Sequence, residues 1–425
     1  MIQLDFLGAF GEVGASGILV DTGAEKFVLD YGAASETTPA RPPMRIDGNV
    51  DALLLSHAHL DHCGSVPLLA AKKNGTSVYA QPCTKDLTKL LLLDSVKISM
   101  QEIGDLEGAK IPFDKADVKH TIRKFVDVNY RQPFKLHTAE ITYFDAGHIP
   151  GSALILIETQ KKNLLYTGNY NTIDTRLLKG CDKDLPKIDY LITESTYAKK
   201  DHPDRKSEEK KFVDMIRETV AGNGIALVAG FAIGRLQEIL LVLHNYGINY
   251  PSYMDGMAKK ATTIIDQHKN LLRDPNEFEK ALENVVYLGK DNERAKAIRE
   301  PCVILTTGGM LSGGPVVWYL EKLHADKRSS LMMTGFQVPG TPGHNLLETG
   351  SFVHEDLNFK LDMQVKRFDF SAHLGHKELS SFIADTNPEK IFCVHGEKTV
   401  EFAEELIEQG FNAVAPMPDN RTFKI

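Results

Sequence analysis

The stretch Leu55-Ser-His-Ala-His-Leu-Asp-His-Cys-Gly64 constrains this chain more than any other. It places His57, His59, Asp61 and His62 directly after Ala52 to Leu55, an apolar run that reads as a β-strand. Imidazole nitrogen and carboxylate oxygen are the donors taken by zinc and similar transition metals. Four donors at this spacing cannot share one face of a helix. They suit a loop at a strand end, where alternate side chains point to different sides and can serve two neighbouring metals.

Two metals need more donors than this loop supplies. Three other histidines sit at strand ends with glycine close by: His148 in FDAGHIPGSA, His373 in FSAHLGH and His395 in FCVHGE. Each alone would read as a surface or satisfied core histidine, but beside the first cluster they read as site residues. His120, His137, His202, His244, His268 and His324 lack such settings and read as ordinary.

A chain of 425 residues exceeds one ordinary domain of roughly 100–200, so two domains are expected. Hydrophobic residues at 42% allow a sizeable core, and no apolar run reaches the roughly 18 residues of a membrane span. The first residues, MIQLDFLGAFGEVG, carry acids and no basic region, unlike a signal peptide. The 5 cysteines are scattered, with no C-x-x-C pair, which argues against a disulfide framework and fits a reducing cytosol. A net charge of −8 argues against a basic surface that coats nucleic acid, though not against an enzyme that grips one phosphate through local metals.

The first part of the chain reads as short strands, Ile18 to Val20, Phe27 to Leu29 and Ala52 to Leu55, broken by DTGAE and the Pro-rich TPARPPMRIDGN. Helices are expected over Cys63 to Lys73 and Thr84 to Met100. Strands follow at Ile141 to Phe144, Ala153 to Ile157, Asn163 to Tyr166 and Tyr190 to Ile192. Ala198 to Lys211 reads as a charge-dense connector before a helix from Phe212. Ile225 to Val228, helices over Arg235 to Asn245 and Ala258 to Leu272, and Val303 to Thr306 then alternate as in a parallel sheet. GFQVPGTPGHNLLETG reads as an irregular stretch, Phe359 to Phe368 as a β run. A helix (Lys377 to Thr386), a strand (Ile391 to Val394) and a helix (Thr399 to Gln409) close the chain.

H-x-H-x-D-H, then a lone His, then Tyr-Thr-Gly, resembles the metallo-β-lactamase superfamily. Glu194 in TESTY, His373 in SAH and His395 in VHGE look like the extra motifs of its β-CASP nuclease branch. The likeness runs over nearly the whole chain, through Gly234-Arg235 with Gln237-Glu238 and Gly308-Gly309-Met310 with Ser312-Gly313-Gly314-Pro315. It looks closest to archaeal and bacterial relatives of the cleavage and polyadenylation specificity factor endonuclease and to RNase J. The resemblance implies two zinc ions per chain, one on His57, His59 and His148, the other on Asp61, His62 and His395. Asp30, ending FVLD, is similar to the family's first motif, a carboxylate that supports the metal loop; a strand-end turn residue is the equal alternative.

Where the family usually has a metal-bridging Asp, LLYTGNYN has Asn169. An amide offers one good acceptor and no charge, so one metal should be held weakly and activity impaired. VPGTPGHNLLE has Pro342-Gly343-His344 where relatives have Leu-Gly-Arg. His344 is then a phosphate contact or a simple loop residue. The resemblance also offers Arg235, Gly309, Ser312, Gly313 and Ser371 as substrate contacts, the glycines through exposed backbone N–H groups.

The implied fold is α/β: a metallo-β-lactamase αββα sandwich from residues 1–195 and 360–425, interrupted by a β-CASP domain over 196–359, with the site in the cleft between them. The implied activity is zinc-dependent hydrolysis of single-stranded RNA, leaving a 5′-phosphate. Asp61 helps hold the metals, and His373 is the general acid with Glu194 fixing its tautomer and favouring imidazolium. A homodimer or an RNA-processing complex in the cytoplasm is the expected setting. Two rivals remain open: a small-molecule hydrolase using the same loop, which leaves His373 and the insertion unexplained, and a silent RNA-binding subunit, which Asn169 favours.

Overall fold

The computed structural model describes residues 2–34, 40–71, 75–103 and 111–425. The chain divides into two compact units, the first comprising Met1–Asp174, Gly180–Asp201 and Ala372–Ile425, the second Thr175–Lys179 and His202–Ser371.

The first unit holds two seven-stranded sheets. The strands Lys26–Tyr31, Ala153–Glu158 and Tyr190–Glu194 are buried on both faces and read as nearly unbroken apolar runs. Alternation sorts their side chains. Phe27, Leu29, Ile155, Ile157, Leu164, Ile192 and Phe392 enter one shared core between the sheets. Val28 and Leu53 turn outward onto Cys63, Val66 and Ala70. On the other sheet Leu154, Leu156, Leu165 and Leu191 turn outward onto Leu379, Phe382 and Ile383 of the helix His376–Thr386 and Phe402 and Leu406 of the helix Thr399–Glu408. Helices therefore cover both outer faces of a double sheet, an αββα arrangement.

The second unit is a six-stranded sheet in the order Val285–Tyr287, Ser252–Asp255, Cys302–Thr307, Ile225–Gly230, Ser330–Met333, Gln364–Arg367. Every pairing in it is parallel, so each return crosses over through intervening chain, mostly helical. Among the described residues all five cysteines are buried and free, and no helix is long and apolar enough to cross a membrane.

Several sequence expectations need correction. The helix expected over Cys63 to Lys73 is two single turns, Leu60–Cys63 and Pro67–Ala70, because Gly64 ends the first and Pro67 opens the second. Lys72 and Lys73, like Thr38 and Pro39 of the Pro-rich loop, lie outside the described residues. The connector read over Ala198 to Lys211 becomes helix at Arg205, capped by Asp204 and running to Ala221. Its charges mislead because Glu209 is buried and bound by Arg176 and Arg205. The helix expected from Ala258 to Leu272 ends at Gln267 and tightens into a 3-10 turn.

GFQVPGTPGHNLLETG hides a helix, Pro342–Thr349, with Thr341 as N-cap, Pro342 in its first turn and Gly350 in a left-handed conformation after it. The β run Phe359 to Phe368 is two strands. Leu357–Lys360 forms a hairpin with Ser351–His354, while Gln364–Arg367 joins the parallel sheet of the second unit instead of returning to the sandwich.

Candidate metal centre and acid–base pair

The metal loop is short because its supports are covalently remote. His57 and His59 lie in the turn after the strand Ala52–Leu54, and Asp61 and His62 lie in the one-turn helix that His59 opens. Gly32 lets the two segments touch, since a Cβ there would sit 1.7 Å from the Asp61 carbonyl oxygen. The Asp30 carboxylate, fully buried, gathers the loop. It accepts from Ser56 N (2.7 Å), Ser56 Oγ (2.6 Å), His62 Nδ1 (2.6 Å) and Tyr166 OH (2.7 Å). Its backbone φ of 54° is one that few non-glycine residues adopt, and these four bonds hold it there.

Three donor groups converge within 4.8 Å: His57, His59 and His148; Asp61, His62 and His395; and Asp30, His57 and His62. Hydrogen bonds decide which nitrogens face inward. The Nδ1 of His62 is committed to Asp30, so its Nε2 is the nitrogen that faces the cluster, 3.2 Å from Nε2 of His395 and 3.6 Å from Asp61 Oδ2. His395 Nε2 lies 3.0 Å from the same Asp61 oxygen. The Nδ1 of His148 donates to the Ala372 carbonyl, turning its Nε2 toward His59 Nδ1 at 3.1 Å. The Nε2 of fully buried His57 has no hydrogen-bond partner among the described residues, and neither has Oδ1 of buried Asn169.

Electrostatics agree. Burial, reinforced by the neighbouring imidazoles, holds His57 and His148 well below the ordinary histidine value, so both are neutral at pH 7. Burial opposes charge on His62 and Asp61 too, yet it loses there. Asp61 and Asp30 raise the His62 value, and His62 and His395 hold the Asp61 carboxyl below the usual range. The pocket is built to surround positive charge, and the neutral nitrogens of His57 and His148 and its orphaned acceptors fit a transition metal.

Glu194, also buried, ends the strand Tyr190–Glu194 and accepts from Nδ1 of His373 at 2.8 Å and from Tyr170 N at 2.9 Å. Burial alone would raise its carboxyl, but His373, His395 and Thr196 outweigh burial and lower it. The His373 ring lies tilted at 55° against that of His148, centroids 4.5 Å apart. A carboxylate–imidazole pair thus adjoins the donor cluster.

Three models of known domains match the chain: a metallo-β-lactamase superfamily domain over residues 12–194, a Beta-Casp domain over 236–346 and a Zn-dependent metallo-hydrolase RNA specificity domain over 359–416. The chain is similar to "Probable RNase MJ4" of Methanocaldococcus jannaschii, with 39% identity over 98% of both chains. The chain belongs to the β-CASP branch of the metallo-β-lactamase superfamily. "RNase aCSPSF2" of Saccharolobus solfataricus is 34% identical over 98% of this chain and 84% of its own length. A crystal structure of a protein of unknown function from Enterococcus faecalis shares the fold at 14% identity, with a TM-score of 0.61 over all of both chains.

As in the rest of this β-CASP family, the chain is a metal-binding α/β hydrolase. Its second unit carries the residues expected to touch substrate. Arg235 opens the helix Arg235–Asn245, and Gly309, Ser312 and Gly313 lie in the turn after Cys302–Thr307. Gln337 Nε2 donates to Gly309 O at 2.8 Å, and Gly343 N donates to Met310 O at 2.9 Å, so this turn meets the start of the helix holding His344. His344 is therefore a helix residue, not a loop residue, with Glu348 3.7 Å away one turn on. Ser371 ends the unit, its N–H donating to Asp369 Oδ1 at 3.1 Å. His202, read as ordinary, pairs with Asp369 at 3.2 Å.

Sequence reasoning passed over three hydroxyls: Ser56, Tyr166 and Thr196. The only available signal was adjacency, Ser56 just before His57 and Thr196 two after Glu194.

Proposed function

We propose that this chain is a zinc-dependent ribonuclease that hydrolyses phosphodiester bonds of single-stranded RNA. The observation that carries the reading is the convergence of neutral imidazole lone pairs and the Asp61 carboxylate beside a Glu194–His373 pair. A bare metal site would serve many hydrolyses, but a tautomer-fixed histidine at its edge serves one whose leaving oxygen needs a proton. The names of the relatives as RNases, and the RNA specificity domain at residues 359–416, support RNA as substrate.

His57, His59 and His148 would hold one zinc, and Asp61, His62 and His395 another, with the unpartnered amide oxygen of Asn169 as a further donor. Zinc, when bound, supplies Lewis acidity toward the phosphoryl oxygen and a water acidic enough to attack at neutral pH. Asp30 keeps the His62 ring in its ligand tautomer. His373, with Nδ1 bonded to Glu194, would hand a proton from Nε2 to the departing 3′-oxygen, leaving a 5′-phosphate. Arg235, the 309–313 turn and Ser371 would hold the RNA backbone, with residues 196–359 acting as the substrate domain, in a cytoplasmic homodimer or processing complex.

Asn169 favours a second reading, a silent RNA-binding subunit. Incubation of end-labelled single-stranded RNA with the protein and zinc, using 5′-phosphate and 5′-hydroxyl substrates, decides between them. Cleavage with 5′-phosphate products supports the nuclease. Tight RNA binding without cleavage, in protein carrying zinc, overturns it.

A further inference from the structure

Two ligand histidines are oriented by the same device. Ser56 Oγ donates to Asp30 Oδ2 at 2.6 Å, and His57 Nδ1 lies 3.0 Å from the same oxygen of Ser56. A serine hydroxyl has one hydrogen, and the carboxylate takes it. The ring must then donate through Nδ1, which leaves its Nε2 as the lone pair that points to no protein donor.

Thr196 repeats this on the opposite side of the cluster. Its Oγ1 donates to Glu194 Oε2 at 2.5 Å and lies 3.3 Å from His395 Nδ1. The His395 carbonyl oxygen is also 3.3 Å away, but the charged and nearer carboxylate is the stronger acceptor for the single hydrogen. His395 Nδ1 must therefore donate to Thr196, which leaves Nε2 as the nitrogen facing the cluster, 3.0 Å from Asp61 Oδ2 and 3.2 Å from His62 Nε2. The His395 backbone has φ 52°, so the main chain does not by itself give a relaxed placement for this ring.

We propose that Thr196 is a positioning residue that locks the tautomer of His395 and ties it to the Glu194–His373 pair through one hydroxyl. The chain of bonds runs from His395 Nδ1–H to Thr196 Oγ1–H to Glu194 Oε2, which also accepts from His373 Nδ1–H at 2.8 Å. One carboxylate thus aims a ligand nitrogen inward and orients the acid. The role rests on the metal reading of His395 but not on RNA being the substrate.

The test compares Thr196→Val, which keeps the shape and removes the hydroxyl, with Thr196→Ser, which restores it. In metal-free protein labelled with 15N-histidine, NMR should show His395 Nδ1 fully protonated in the parent and the Ser variant, and only partly protonated in the Val variant. Zinc affinity should fall roughly 10–100-fold in the Val variant, the usual worth of a group that orients a metal ligand, and recover in the Ser variant. An unchanged His395 tautomer in Thr196→Val, or equal losses in Val and Ser, overturns the proposal. The NMR arm needs neither zinc nor RNA, so failure of the nuclease reading and failure of this one give different results.

Discussion

Asp30 Oδ2 accepts the Nδ1 proton of His62 at 2.6 Å from a backbone held at φ 54°. A carboxylate 32 residues upstream thereby sets which nitrogen of His62 faces the donor cluster. Asp30→Asn keeps the shape and tolerates the same backbone, since Asn enters the left-handed region readily. It removes the charge and one acceptor. Zinc affinity should drop roughly 10–100-fold without unfolding; equal affinity in titrations of both proteins would leave Asp30 a turn residue only.

His57→Ala removes a fully buried imidazole whose Nε2 meets no protein donor. The variant should stay folded by circular dichroism and bind less zinc per chain by metal analysis. Unchanged zinc content would mean the orphaned nitrogen is not a ligand.

His373→Ala should keep its zinc and its RNA affinity while turnover falls roughly 10²–10⁴-fold, the usual range for loss of a general acid. Metal loss from this variant would instead make His373 a ligand.

Asn169→Asp adds a charge and a second strong acceptor where the amide oxygen now has no partner. The turn that carries it is pressed against the metal loop. Gly168 has φ 51°, and a Cβ there would meet Ser56 Oγ at 2.7 Å. The Asp variant should bind more zinc and cleave RNA at least tenfold faster, a barrier change of about 1.4 kcal/mol. If neither rises, the bridging position lies elsewhere; the nearby Asp174 is already spent on Gly180 N at 2.9 Å.

Burial, aided by Asp182 and opposed by the hydrogen bond from Gly147 N, pushes the Asp145 carboxyl up to about 7 from an ordinary 3.8. The folded protein thus holds this proton more tightly than the unfolded chain does. Its contribution to stability is complete below about pH 4 and is lost as pH rises through about 7. Asp145→Asn is neutral throughout. Its urea midpoint should match the parent near pH 4 and exceed it increasingly toward pH 8; parallel curves would sink this account.

The donor types were legible in the sequence because metal chemistry demands them: His57, His59, Asp61 and His62 crowd one loop, and His148 and His395 follow strands whose apolar runs announce themselves. The strands of the sandwich were legible for the same kind of reason, since burial on both faces leaves an unbroken apolar signature in runs such as Ala153–Glu158. Local rules were present but outvoted in the helix at Arg205, where buried Glu209 looks like a surface charge until Arg176 is brought to it. Only the tertiary structure decided where each imidazole points. A histidine's tautomer is set by whatever its other nitrogen meets, and those partners come from distant segments: Asp30 for His62, Ala372 for His148, Thr196 for His395. Sequence names the candidate donors; the hydrogen bonds that decide which of their nitrogens face inward exist only once the chain has folded.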